Sequence, residues 1–327
     1  MVTNMVKKLY IAVISMVLLV VTLTTSTFAW VEIAETNRVD GFNLTAKQDS
    51  NLEFSLDGIN YSSEINEQQI NAIIGEAKLM DWTTYDGQTF TGTTVPFVEG
   101  VLDFEAVPNK NYIQLVLYVR TSSAMYTDLY LVNNVSQSVS YDALPNTGTY
   151  VTSRGVNYRA PITYQYSPTM TVFEGEVRTY YAKEAVRVSF VEMLYDETDT
   201  RLESELNRFI WDPSGNPARG FAKTFGATDF IKQYHNLRFD LPTVEQTVTY
   251  GLTTFTDPNA YLPDNQLSRV ASLVESDEVN DQNRNYHIGK FMINIWVEGW
   301  DADAFDAVFD DELQIQFEFQ SGLPLDN

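Results

Sequence analysis

The chain has no cysteine, and only two histidines, His235 and His287, in 327 residues. Without thiols it can form no disulfide, no thiolate zinc or iron–sulfur site and no cysteine nucleophile. Basic residues are also scarce: 21 Lys and Arg stand against 44 Asp and Glu, a formal net charge of −23. That balance lacks the cationic patch that nucleic-acid binders use to displace counterions, so no nucleic-acid partner is expected. Catalytic signatures are missing as well. There is no HExxH and no G-x-S-x-G, and Gly215–Thr224 places Phe221 where a phosphate loop requires lysine. Carboxylate pairs for glycoside cleavage cannot be singled out among 44 acids, and no enzymatic activity is expected.

Aromatic residues, by contrast, are plentiful (19 Tyr, 19 Phe, 5 Trp), enough to build a substantial core. The single long apolar run lies at the amino terminus. Lys7 and Lys8 precede Leu9–Val21, and small polar residues lead to Thr27-Phe28-Ala29. A basic end, an apolar segment and small residues at −3 and −1 make a secretory signal, with Thr27 and Ala29 as the processing residues and cleavage after Ala29. The alternative is an uncleaved anchor, because residues 9–29 would span about 31 Å as a helix, enough to cross the membrane core. Either way residue 30 onward lies outside the cytoplasmic membrane, extracellular or at the cell surface. There a strong negative charge favours solubility and divalent counterions.

Beyond residue 30 the dominant pattern is period two. Leu313, Ile315, Phe317 and Phe319 alternate with Gln314, Gln316 and Glu318. Phe291–Val297 and Ile113–Arg120 alternate in the same way, and Leu52–Leu56 ends at Asp57-Gly58, a hairpin-type turn. Ala185–Val191 and Asp128–Val132 read as further strands. One apolar face per strand marks antiparallel sheets covered on one side. Helical signals are short: a capping box at Asn66–Gln69 before Ile70, Ile73 and Ile74, a possible cap at Asp264 or Asn265 before Leu267, Val270, Leu273 and Val274, and another at Asp301 before Phe305, Val308 and Phe309. The expected fold is mainly β, a jelly-roll-like antiparallel β-sandwich preceded by an apolar helix. Its divisions are 1–29 (signal or anchor), 30–195 (first part of the sandwich), 196–285 (an irregular insertion) and 286–327 (closing strands). No repeat of fixed period is visible.

Two motifs carry a possible chemistry. Leu144-Pro145-Asn146-Thr147-Gly148 matches a sortase pentapeptide, but no apolar span and basic tail follow it, so a turn is the expected reading. Asp301, Asp303 and Asp306 open the run DADAFDAVFDDE and are candidate oxygen ligands for calcium. The EF-hand pattern fails there because Phe305 takes the fifth position and no glycine follows. Helix capping by Asp301 is the competing explanation. Trp296 and Trp300, next to these acids, are candidates for stacking on sugars, against the commoner role of aromatics packed between strands.

Thr27-Phe28-Ala29-Trp30-Val31 and Val39–Leu44 resemble the amino terminus of the TasA/camelysin group of exported bacterial proteins. Ile295–Asp303 with its final alternating strand is similar to the group's carboxyl-terminal signature, and Leu117–Thr121 and Asp128–Leu131 fall where such proteins carry middle strands. The likeness leaves 140–285 unmatched. It implies a jelly-roll-like sandwich, cleavage by a dedicated signal peptidase and, as in the fibre-forming member, completion of a neighbour's sheet by an amino-terminal arm. Here the arm would be residues 30–44, with Trp30, Val31 and Ile33 leading. An open sheet edge offers unpaired backbone groups that such a segment satisfies. Camelysin's protease activity is not carried over, since no catalytic signature supports it. The expected function is thus a surface or matrix structural protein that contacts the membrane through residues 9–29 and self-associates. The alternative is a calcium- or carbohydrate-binding module, with a secreted hydrolase as the third reading.

Overall fold

The computed structural model describes residues 38–47, 51–75, 77, 79, 81–93, 106–135, 138–257, 261–305, 308 and 310–325. The 9–29 span and Thr27, Ala29, Trp30, Val31 and Ile33 lie outside the described residues, as do Asp306 and the apolar helix expected at the amino terminus. No helix among the described residues is long and apolar enough to cross a membrane.

The alternating segments form the centres of two sheets. In the first, β18 (Glu312–Gly322) is flanked on one side by β1 (Arg38–Ala46) and on the other by β8 (Tyr150–Ser153) and β7 (Asp128–Leu131). β15 (Arg269–Ser272) lies beyond β7, and β3 (Glu64–Ile65) beyond β1. In the second, β17 (Asn285–Glu298) has β13 (Val186–Met193) and β16 (Val274–Val279) on one side, β6 (Ile113–Thr121) and β4 (Asp81–Thr83) on the other. β14 (Arg208–Trp211), β2 (Leu52–Ser55) and β5 (Thr91–Gly92) extend it at β13, β6 and β4. Odd-numbered residues of β6, β17 and β18 point inward, and phenylalanine rings interlock between the sheets. Phe54, Phe291 and Phe190 lie with centroids 5.2, 5.7 and 6.2 Å from Phe319.

The fold is mainly β, as expected, but not wholly antiparallel. β1 runs parallel to β18, and β4 parallel to β17. No hairpin joins either pair, so nothing forces antiparallel order, and β1 and β18 are the two ends of the described chain.

Residues 196–285 are more ordered than an irregular insertion. They supply β14 to one sheet, β15 to the other and β16 to the first again, crossing between sheets at Leu273. Leu267–Val274 is therefore a turn at Leu267 and Ser268 followed by strand, not helix. Its apolar spacing also fits a strand that changes sheets, with Val270, Ala271 and Leu273 all buried. The helix expected after Asp301 does not begin there, although Val308 and Asp310 are in 3-10 conformation and Phe309 lies outside the described residues. Asp301–Asp303 is a turn whose acids face arginines. The first capping box does form: α1 (Glu67–Ile74) starts at Asn66, with Ile70 and Ile74 buried and Ile73 left exposed.

Two ribbons, β9 (Val156–Arg159) with β12 (Val177–Tyr180) and β10 (Tyr164–Ser167) with β11 (Met170–Val172), pack with α2 (Ala227–Tyr234). Tyr164, Phe230 and Phe305 form their ring cluster, at 5.3 and 5.6 Å from Tyr164. The pentapeptide Leu144–Gly148 is a turn. Gly148 has φ +93°, and its N–H donates to the buried carboxylate of Glu318 at 2.8 Å.

Candidate functional site

The outward face of the β17 sheet differs from its apolar inner face. Even-numbered residues of β17 alternate outward beside outward residues of β6 and β13. In register they give the rows Tyr118–Lys290–Met193, Val116–Met292–Val191, Gln114–Asn294–Ser189 and, at one end, Trp296–Arg187. The last two rows are roofed by residues 84–90 and 246–250. Asn294 Nδ2 donates to the carbonyl of Gly87 at 2.8 Å, and Phe90 lies over Tyr112 and Trp296 with centroids 4.2 and 5.2 Å away.

Beneath that roof one guanidinium meets three carboxylates. Arg187, Asp212, Glu298 and Asp301 are all at most 1 % exposed. Arg187 Nη2 pairs with Asp301 Oδ2 and approaches Asp212 Oδ2 at 2.8 Å, the latter contact too poorly aligned to be a hydrogen bond. Asp301 Oδ1 accepts the Asp303 N–H at 2.8 Å, and Asp212 Oδ1 the Ser214 N–H at 2.9 Å. Glu298 is held by neutral donors: Gln246 Nε2 at 2.8 Å, Trp296 Nε1 at 3.2 Å and the Trp300 N–H at 3.3 Å. Gln246 Nε2 also donates to the carbonyl of Thr84, which ties the roof to the sheet.

Burial raises the pKa of all three acids above their ordinary values, and that of Asp301 to about 7, with Arg187 working in the opposite direction. Burial also opposes the charge on Arg187, but Asp301, Asp212 and Glu298 together outweigh it and hold its pKa up. A single cation cannot balance three carboxylates, so the cluster keeps Arg187 charged and favours a proton on Asp301.

The structure places the expected site residues differently from a calcium cage. Asp301 belongs to Arg187, and Asp303 to Arg219, whose Nε and Nη2 reach its two oxygens at 2.8 and 2.6 Å. Asp311, from the same acidic run, accepts the N–H groups of Gly155 and Ala182 at 2.7 and 2.8 Å. Among the described residues no three His, Asp or Glu side chains converge as a metal site would require. Trp296 is 0 % exposed and cannot stack on an external sugar, while Trp300 is half-buried against Phe239. Arg187, Asp212, Glu298 and Gln246 went unrecognised in the sequence. One signal existed: an arginine inside the apolar strand Ala185–Val191.

The second feature is an edge. On its outer side β1 pairs with β3 only at Leu44–Ile65 and Thr45–Glu64, and the α1 amino terminus is bound by Asn43, whose Oδ1 accepts the Glu67 N–H at 3.0 Å. Among the described residues no strand pairs with that side of Arg38–Phe42. The register with β18 slips at Asp40, whose carboxylate accepts the Tyr141 hydroxyl at 2.9 Å. Arg38–Leu44, the second half of the expected arm, is strand in the protein's own first sheet, and 30–37 lies outside the described residues.

No protein-family model, curated protein or solved structure matches this chain.

Proposed function

We propose that this chain is an exported cell-surface or extracellular-matrix structural protein that self-associates by donating its amino-terminal arm to a neighbouring copy. The observation that carries this reading is the outer side of Arg38–Phe42, with which no strand pairs among the described residues, a run of backbone donors and acceptors immediately after the arm. Residues 30–37 (WVEIAETN) directly precede β1 in sequence, so a donor segment reaching that side within one chain would require a tight reversal. The segment contains neither glycine nor proline to favour one. A second copy's arm can lie along the edge without a turn. Val31 and Ile33 then fall on one side of the added strand and Trp30, Glu32 and Ala34 on the other. The leading Lys7–Ala29 segment supports export as a signal, or as an anchor if it is retained.

The direct test is substitution of the arm. Val31→Asp with Ile33→Asp is expected to abolish oligomers of the exported protein in sedimentation and electron microscopy while leaving its melting temperature unchanged. Oligomers that persist in the doubly substituted protein would show that the arm is not the donor.

A further inference from the structure

The roofed end of the β17 sheet also brings together three groups that can react with one another. Gln246, from the roof, is 7 % exposed, Thr83, at the end of β4, 6 %, and Glu298, at the end of β17, 0 %. The Gln246 amide nitrogen donates to Glu298 Oε2 and to the carbonyl of Thr84, each at 2.8 Å. That carbonyl belongs to the residue next to Thr83. The Thr83 hydroxyl acts on the same Glu298 carboxylate and favours its charge, without the alignment of a full hydrogen bond. One carboxylate therefore meets both an alcohol and a primary amide.

Two details set these groups apart from ordinary buried polar residues. Buried polar atoms are nearly always hydrogen-bonded, yet among the described residues neither Thr83 Oγ1 nor Gln246 Oε1 has a hydrogen-bond partner. The hydroxyl of neighbouring Thr84 is by contrast fully occupied, donating to Asp86 at 2.9 Å and accepting the Gly87 N–H at 3.0 Å. Thr83 is thus the hydroxyl left to act on the amide.

We infer that Thr83 and Gln246 join in an ester bond, formed by the folded chain itself with Glu298 carrying the proton. The Thr83 oxygen attacks Gln246 Cδ while its proton passes to the Glu298 carboxylate. Glu298 then gives that proton to the amide nitrogen, the Cδ–Nε2 bond breaks and ammonia leaves. The balance is complete: an alcohol and an amide become an ester and ammonia, and no oxidant or co-reactant is consumed. The contact with Nε2 places Glu298 on the departing nitrogen, where a proton donor has to be. Burial raises its pKa, which strengthens it as the base that first takes the proton. Trp82 Nε1, buried in the same cluster and without a hydrogen-bond partner among the described residues, is a donor for the oxygen that becomes negative. Holding the alcohol and the amide side by side replaces a rare bimolecular encounter, and the same burial keeps water from the ester once it is made. In a chain without cysteine the bond fastens the roof to β4 with no need for oxidising conditions. The inference does not depend on the amino-terminal arm.

The test is intact-mass spectrometry of the denatured, purified protein against the mass of its sequence from the observed first residue. A deficit of about 17 Da, one ammonia, is expected, with peptide mapping finding Thr83 and Gln246 in one joined fragment. Thr83→Ala is expected to have the full sequence mass, Thr83→Ser to show the deficit again and Glu298→Gln to lose most of it. Because mass is read on denatured chains, a variant of low stability still reports. The full sequence mass in the unsubstituted protein would overturn the inference, as would a deficit that persists in Thr83→Ala or maps to other residues. A deficit unchanged in Glu298→Gln would overturn the part given to the glutamate.

Discussion

Arg187 is the residue on which the roofed half of the β17 sheet depends. It offsets part of the charge of Asp212, Asp301 and Glu298 where no water reaches them. Removing it leaves buried carboxylates without a counter-charge, a change that typically costs about 3–5 kcal/mol. Arg187→Met is therefore expected to lower the unfolding free energy by that amount in urea titration, and a loss below 1 kcal/mol would show that the cluster is not coupled to folding. Asp301 makes a separate, pH-dependent prediction. Its pKa rises from 3.8 to about 7 on folding, so between those values the folded chain holds a proton that the unfolded chain releases. Stability from this group is thus greatest at acid pH and falls as pH rises toward 7, with a slope of up to about 1.4 kcal/mol per pH unit. Asp301→Asn is expected to flatten that slope in denaturation curves recorded from pH 4.5 to 7.5, and an unchanged slope would assign the proton elsewhere.

At the scale of elements, two short turns repeat one design. Ser55-Leu56-Asp57-Gly58-Ile59-Asn60-Tyr61 follows β2, and Thr84-Tyr85-Asp86-Gly87-Gln88-Thr89-Phe90 follows β4. In each the aspartate accepts two backbone N–H groups and two side-chain donors, one from the residue two before it and one from the residue three after. These bonds hold the carboxyls of Asp57 and Asp86 below the usual range. Both glycines have positive φ, +74° and +77°, yet their surroundings differ. A Cβ at Gly87 would lie 2.8 Å from the Ser189 side chain, whereas at Gly58 the nearest atom is 3.4 Å away in the Tyr118 ring. Gly58→Ala is expected to cost about 1 kcal/mol for backbone strain alone. Gly87→Ala should cost distinctly more by the same thermal or urea measurement, and equal costs would contradict the crowding read here.

These turns also show where the sequence stops being legible. Leu313–Phe319, Phe291–Val297 and Ile113–Arg120 were readable because one face of each enters the core, and period two records that directly. Leu267–Val274 was misread because the strand changes sheets at Leu273, which breaks the alternation and leaves a spacing that imitates a helix. Asp57-Gly58 was legible as a turn, and Phe54 pairs with Ser62 across it, but its likeness to the turn at Asp86-Gly87 was not, because the two share a local hydrogen-bond pattern and not a fixed period. The ion cluster was half legible. Asp301 stood out in its acidic run, but its partner Arg187 lies 114 residues away, and no local pattern links them.

For the whole molecule, the chain's charge and its open edge act against each other. A net charge of −23 keeps copies apart, while the side of Arg38–Phe42 that no strand pairs with among the described residues invites pairing, so association is expected to strengthen as salt screens the repulsion. The central claim, that copies join through the arm at this edge, is tested most directly by sedimentation velocity on the purified exported protein across a concentration series at physiological salt. The account predicts species larger than the monomer that grow with concentration and vanish in Val31→Asp/Ile33→Asp. A single monomeric boundary at every concentration in the unsubstituted protein would contradict it.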